Sequence, residues 1–145
     1  MALKSILVVH GPNLNLLGTR EPGVYGHGTL QDHLDTVRAA AARHGIAVSD
    51  IQSNSEGALV EAIHAARGVH DAMIVNAGAF THYSWALHDA LRAFDGPVIE
   101  VHLSNPTARE DFRHVSVLAG VVDGTISGLG GLGYELAVAA LVSRG

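Results

Sequence analysis

Short apolar runs and longer amphipathic segments take turns along this chain. Ser5-Ile6-Leu7-Val8-Val9 is apolar at four consecutive positions, the mark of a strand buried on both faces. A polar stretch rich in Gly occupies 11–28. Thr29 then caps a helix over 29–43, in which Leu30, Leu34, Val37 and Ala41 share one face. Gly45 ends that helix, and 46–52 reads as a second strand. Ser55 and Glu56 open the next helix, with Leu59, Ile63 and Ala66 inward. A third strand over 72–75, a helix from Thr81 or Ser84 to about residue 94, a break at Gly96-Pro97 and a fourth strand over 98–102 continue the alternation. An Asn105-Pro106 turn and a helical turn near Glu110 follow. The pattern ends on a less regular fifth strand over 121–126, interrupted by Asp123-Gly124, and a helix over 134–142.

Strands and helices in strict alternation imply a parallel sheet covered on both faces. Right-handed crossovers then favour a flavodoxin-like order. The expected fold is therefore α/β, a doubly wound five-stranded parallel sheet forming a single domain over 1–145.

Composition narrows the function. At 145 residues with 48% hydrophobic and 16% charged, the chain has enough apolar surface for one proper core. A formal charge of −5 argues against a general binder of nucleic acid or membrane surfaces, because phosphate binding needs clustered cations. The absence of cysteine excludes disulfides, thiolate metal sites and a cysteine nucleophile. No apolar run reaches membrane-spanning length and no secretory pattern opens the chain, so a cytoplasmic location is expected. Lys4, the only lysine, stands ahead of the first strand, which argues against an imine-forming lysine in a desolvated pocket.

In open α/β sheets ligands bind beyond the carboxyl ends of the strands, and the unusual polar residues of this chain fall there. Gly11-Pro12-Asn13 follows the first strand, Asn76-Ala77-Gly78 the third, and the fourth runs out through Glu100-Val101-His102-Leu103-Ser104-Asn105. Any one of these turns is equally explained by Asn and Gly as ordinary turn residues. All three together, with a His/Ser pair, point to a site. The long loop after the first strand sets Arg20 five residues before Tyr25 among glycines, which suits a functional lid as well as a plain flexible loop.

Several stretches carry a specific likeness. Gly11-Pro12-Asn13-Leu14, Gly18-Thr19-Arg20-Glu21-Pro22 with Tyr25-Gly26, Asn76-Ala77-Gly78-Ala79 with Thr81-His82, and Glu100-Val101-His102-Leu103-Ser104-Asn105 with Ala108-Arg109-Glu110 resemble type II 3-dehydroquinate dehydratase in order and spacing. The resemblance implies anti elimination of water from 3-dehydroquinate through an enolate, a step shared by shikimate biosynthesis and quinate breakdown. It implies no cofactor and no metal. By motif, Tyr25 is the base, Arg20 the cation that favours its phenolate, and His102 the acid. Ionising a free tyrosine at neutral pH costs roughly 4 kcal/mol, so a cation close to this phenol has a physical purpose. Asn13 is implied to hold a water against the enolate oxygen. Glu100 is implied to orient or charge the His102 ring; on an isolated strand it reads equally as a core carboxylate with a partner. Asn76, His82, Leu103, Ser104 and Arg113 match substrate-contacting positions, and Arg109 a residue of the lid. Asp89 matches a residue that reaches the arginine loop from a neighbouring subunit, within a homododecamer of stacked trimers.

The chain departs from the commoner family pattern at Phe80, Trp85, His88, Val115 and Val117, none of them implied in the chemistry. Two other readings compete. Gly128-Leu129-Gly130-Gly131-Leu132-Gly133 spells a dinucleotide fingerprint, but it follows the last strand where such a site needs the first, and close packing of helix on sheet explains it better. His82, His88, Glu100 and His102 are of metal-ligating type, yet no tight ligand pair is present in the sequence. A non-catalytic flavodoxin-like scaffold is the remaining alternative.

Overall fold

In a computed structural model the structure is described for residues 2–144. Five strands, β1 (Ser5–His10), β2 (Ala47–Gln52), β3 (Ala72–Asn76), β4 (Val98–His102) and β5 (Gly124–Ser127), form one sheet in the order β2-β1-β3-β4-β5. Every pairing is parallel. This is the flavodoxin-like order expected from the alternation.

Along β1 the side chains alternate between two cores. Ile6 and Val8 face helices α2 (Leu30–Ala42) and α5 (Leu132–Arg144), where Leu34, Val37, Ala41, Ala137 and Leu141 close the layer. Leu7 and Val9 face the opposite side, against α3 (Glu56–Ala66) and α4 (Trp85–Arg92) through Leu59, Ile63, Leu87 and Leu91. Burial on both sides is why β1, β3 and β4 have no polar face to give up, whereas β2, at the edge, is largely exposed. Leu59 and Ile63 are wholly buried, and each such side chain contributes about 1.5–3 kcal/mol. The Ser55 cap of the same helix is worth only about 1 kcal/mol, so burial rather than capping holds α3 in place. Thr29 caps α2 with a full capping box through Asp32, whose carboxyl is drawn below the usual carboxylate range by those Thr29 hydrogen bonds.

The structure corrects several boundaries. The fifth strand covers Gly124–Ser127 and not 121–126. Asp123 is withheld from it because its side chain accepts from the Val98 N–H and the Arg144 guanidinium, pinning the entry to β4. Helix α4 starts at Trp85 with Ser84 as its cap, and Gly78–His82 ahead of it is a 3-10 turn. Helix α5 begins at Leu132, earlier than expected. Gly133 lies in its first turn, where a Cβ would touch Val101 and Ile126 at 3.3 and 3.4 Å. Close contact with the sheet thus outweighs glycine's poor helix propensity. The polar stretch 11–28 holds a 3-10 turn at Leu14–Leu16 and a single helical turn, α1 (Pro22–Tyr25). Among the described residues no helix is long and apolar enough to cross a membrane.

Candidate active site

A cleft opens where the chain reverses direction across the sheet, beyond the carboxyl ends of β1, β3 and β4. Its floor depends on close backbone approach. A Cβ on Gly11 would lie 2.1 Å from the Ala77 carbonyl oxygen, so only glycine lets the ends of β1 and β3 meet there. Gly78 has φ +58° and a Cβ there would crowd the Pro12 carbonyl at 3.0 Å. Ten of the twelve candidate residues line this cleft: Asn13, Arg20, Tyr25, Asn76, His82, His102, Leu103, Ser104, Arg109 and Arg113. Glu100 lies beneath it, fully buried behind His102. Asp89 is exposed on α4 and does not line the cleft within this chain.

Three cations line the cleft, and two of them surround a phenol. The Arg109 guanidinium donates to the Tyr25 hydroxyl at 2.9 Å and to the Ser104 hydroxyl at 3.1 Å, joining the loop over 11–28 to the end of β4. Arg20 lies over the Tyr25 ring, its guanidinium carbon 4.8 Å from the ring centre, with Arg109 at 5.0 Å. The sequence put Arg20 beside this phenol; the structure sets Arg20 on the ring face and gives the hydroxyl to Arg109. Arg113 adds a third guanidinium, held by Glu110 at 3.1 Å. That pairing keeps the Glu110 carboxyl below the usual carboxylate range. Three of the chain's nine basic residues therefore face one cleft in a molecule of net charge −5. Such a concentration of positive potential draws in an anionic ligand.

A pair of imidazoles, each held by an acceptor, lines the same cleft. His102 Nε2 is 2.5 Å from Glu100 Oε2, and an ionised carboxylate only accepts, so Nε2 carries a proton and Nδ1 is the ring atom left for the cleft. His82 Nδ1 is 2.8 Å from the Val115 carbonyl oxygen, which places its proton on Nδ1 and leaves Nε2 as an acceptor. Desolvation, together with the charges of His102 and Arg113, draws His82 below the usual histidine range, although the Val115 bond works the other way. A neutral His82 suits contact with a hydroxyl.

Asn13 sits exposed in the left-handed region at φ 67°, with its N–H held by Asn54 Oδ1 at 3.0 Å. Asn76 is buried, and its amide is held at both ends. Its Oδ1 accepts from the Gly78 N–H at 3.3 Å and its Nδ2 donates to the Tyr134 hydroxyl at 3.2 Å. Burial pushes the Tyr134 hydroxyl well above the usual tyrosine range, so it stays a neutral partner. The same hydroxyl meets His10 Nε2 at 2.8 Å. The main chain bearing Leu103 and Ser104 is fixed by the Gly128 and Gly130 N–H groups, which donate to the carbonyls of His102 and Leu103.

Four residues at or behind the site escaped the sequence reading. Phe112 lines the cleft edge-on to His82, Ser116 donates to Glu100, and Tyr134 and His10 back Asn76. Ser116 and His10 signalled themselves only as polar residues beside apolar ones, which core packing explains as well, and Phe112 only as an aromatic among charged residues. The glycine-rich stretch 128–133 packs α5 against the sheet and the His33 ring. No group of three or more metal-ligating side chains is present among the described residues.

Residues 4–142 match the family described as dehydroquinase class II. The chain is 56% identical over 142 residues to a 3-dehydroquinate dehydratase of Ruegeria pomeroyi, covering 98% of this chain and 95% of that protein. It is 55% identical over 135 residues to a catabolic 3-dehydroquinase of Penicillium rubens, covering 93% and 87%. The crystal structure of a type II dehydroquinase from Propionibacterium acnes matches with a TM-score of 0.92 and 44% identity, over 97% of each chain.

Proposed function

The chain belongs to the class II dehydroquinase family, and on that premise we propose that it is a 3-dehydroquinate dehydratase, a hydro-lyase that converts 3-dehydroquinate to 3-dehydroshikimate by anti elimination through an enolate. The observation that carries this reading is the presence in one cleft of Tyr25, its hydroxyl bound by Arg109 under the cover of Arg20, and a His102 ring backed by a buried Glu100.

In this mechanism Tyr25 acts as a phenolate beside two guanidinium groups and takes the proton from the carbon next to the ketone. The C–H electron pair becomes the enolate double bond. Asn13 holds a water that donates to the enolate oxygen. Collapse of the enolate expels the hydroxyl group, which leaves as water after taking a proton from the imidazolium of His102 at Nδ1. The Glu100 carboxylate balances the charge of that imidazolium. The proton gained by Tyr25 and the one lost by His102 balance, and exchange with solvent resets both. Asn76 and the main chain at Leu103 and Ser104 receive the substrate carboxylate, while His82 and Arg113 contact its hydroxyls.

We assign the working form as a homododecamer of stacked trimers in which Asp89 of one subunit reaches the Arg20 loop of the next. Its exposure on α4, away from its own cleft, supports that assignment. The direct test of the activity is the growth of enone absorbance when 3-dehydroquinate is added to the purified protein. No change at high protein concentration would remove the assignment.

A further inference from the structure

The buried carboxylate of Glu100 depends on a single oxygen. Its Oε2 receives His102 Nε2 at 2.5 Å and the Ser116 hydroxyl at 2.9 Å, whereas Oε1, also buried, has no partner among the described residues. The direction of the Ser116 proton is settled by its other bonds. A hydroxyl has one proton and two lone pairs. Its oxygen accepts from the N–H groups of Leu118 and Ala119, both at 3.1 Å. With both lone pairs occupied, the proton points at Glu100. The segment bearing Ser116 also supplies the Val115 carbonyl that sets the proton of His82. One short turn after Arg113 therefore fixes both imidazoles of the cleft.

We infer that Ser116 is a positioning residue for the elimination, holding the Glu100 carboxylate in the one rotation that keeps His102 Nδ1 aimed into the cleft. This deepens the assignment above and rests on it. Ser116 is outside the cleft lining. Without its hydroxyl the carboxylate keeps one donor, is free to turn toward other partners, and releases the ring. Binding groups such as Asn76 and Arg113 are left in place, as is Tyr25, so the loss falls on the acid step alone. The charged and titratable groups that share the cleft with His102 are Tyr25, His82, Arg20, Arg109 and Arg113, with Glu100 of its own strand behind the ring.

The test compares turnover with exchange of the substrate's α proton for solvent deuterium. Ser116→Ala is expected to lower kcat by about tenfold to a hundredfold, the loss of a hydrogen bond to a charged group. KM stays near wild type, and exchange, which needs only Tyr25, persists. Ser116→Thr, which keeps a hydroxyl, recovers most of the rate. If Ser116→Ala does not fold, Ser116→Cys serves instead, because its thiol nearly keeps the shape of the hydroxyl but is only a weak donor to Glu100. Wild-type kcat in either folded variant overturns the inference. So does a parallel fall of exchange and turnover, the signature of a merely structural role. If the wild type itself shows no turnover, the dehydratase assignment fails and the ring state of His102 decides the inference separately. Nitrogen-15 NMR should report Nε2 protonated in wild type, whether or not Nδ1 also carries a proton, and Nε2 partly without its proton in Ser116→Ala. An unchanged ring in that variant overturns it.

Discussion

Arg109 donates a hydrogen bond to the hydroxyl of Tyr25 at 2.9 Å, across 84 positions of sequence, while Arg20, five positions away, covers the ring of the same phenol. The two cations therefore have different tasks. Arg109 addresses the oxygen and ties it to Ser104, and Arg20 shields the face.

The first prediction follows from that division. Tyr25→Phe should abolish nearly all turnover yet still bind 3-dehydroquinate. Arg109→Lys should lower kcat by about tenfold or more, because a point charge cannot bond Tyr25 and Ser104 together as a guanidinium fork does. Steady-state kinetics beside calorimetric binding separates the two effects. A Tyr25→Phe enzyme of wild-type rate excludes the phenol as base.

His102→Ala removes the acid and leaves the base. Release of water should stop, and the α proton of the substrate should continue to exchange with deuterated solvent, as followed by proton NMR. Undiminished turnover in this variant would show that another group protonates the departing hydroxyl.

Lys4 is exposed and precedes β1, at the end of the sheet opposite the cleft. Borohydride added with substrate should therefore leave activity intact, and mass spectrometry should find no adduct. A covalent increment on Lys4 would contradict the enolate route.

His10 is fully buried, and desolvation, with a smaller contribution from His33, lowers its pKa from 6.5 to about 4 against a weaker opposing effect of Asp50. The folded state thus favours the neutral ring. Its stabilising contribution is complete above pH 6.5 and is lost as the pH falls toward 4. The full difference amounts to roughly 3 kcal/mol. Urea unfolding from pH 7 down to pH 4 should show a stability loss that is reduced in His10→Asn; equal slopes in both proteins would count against a neutral buried His10.

The sequence by itself determined the layered architecture and the edge of the sheet that carries the site. A strand buried on both faces must be apolar throughout, and a helix packed on a sheet must repeat every three to four residues, so both leave local periodicities. Polar residues such as Asn13, Asn76 and His102, sitting where those periodicities stop, mark the carboxyl ends of three strands. Resemblance to a family then attached roles to them. What the periodicities do not encode is which side chains meet across long separations. The partner of Tyr25, the hydroxyl behind Glu100, and the His10–Tyr134–Asn76 chain join residues 84, 16 and up to 124 positions apart. The start of the fifth strand was likewise settled at a distance, by Asp123 turning to cap Val98. Buried polar groups must find partners wherever the folded chain brings donors and acceptors together, and only the tertiary structure decides those meetings.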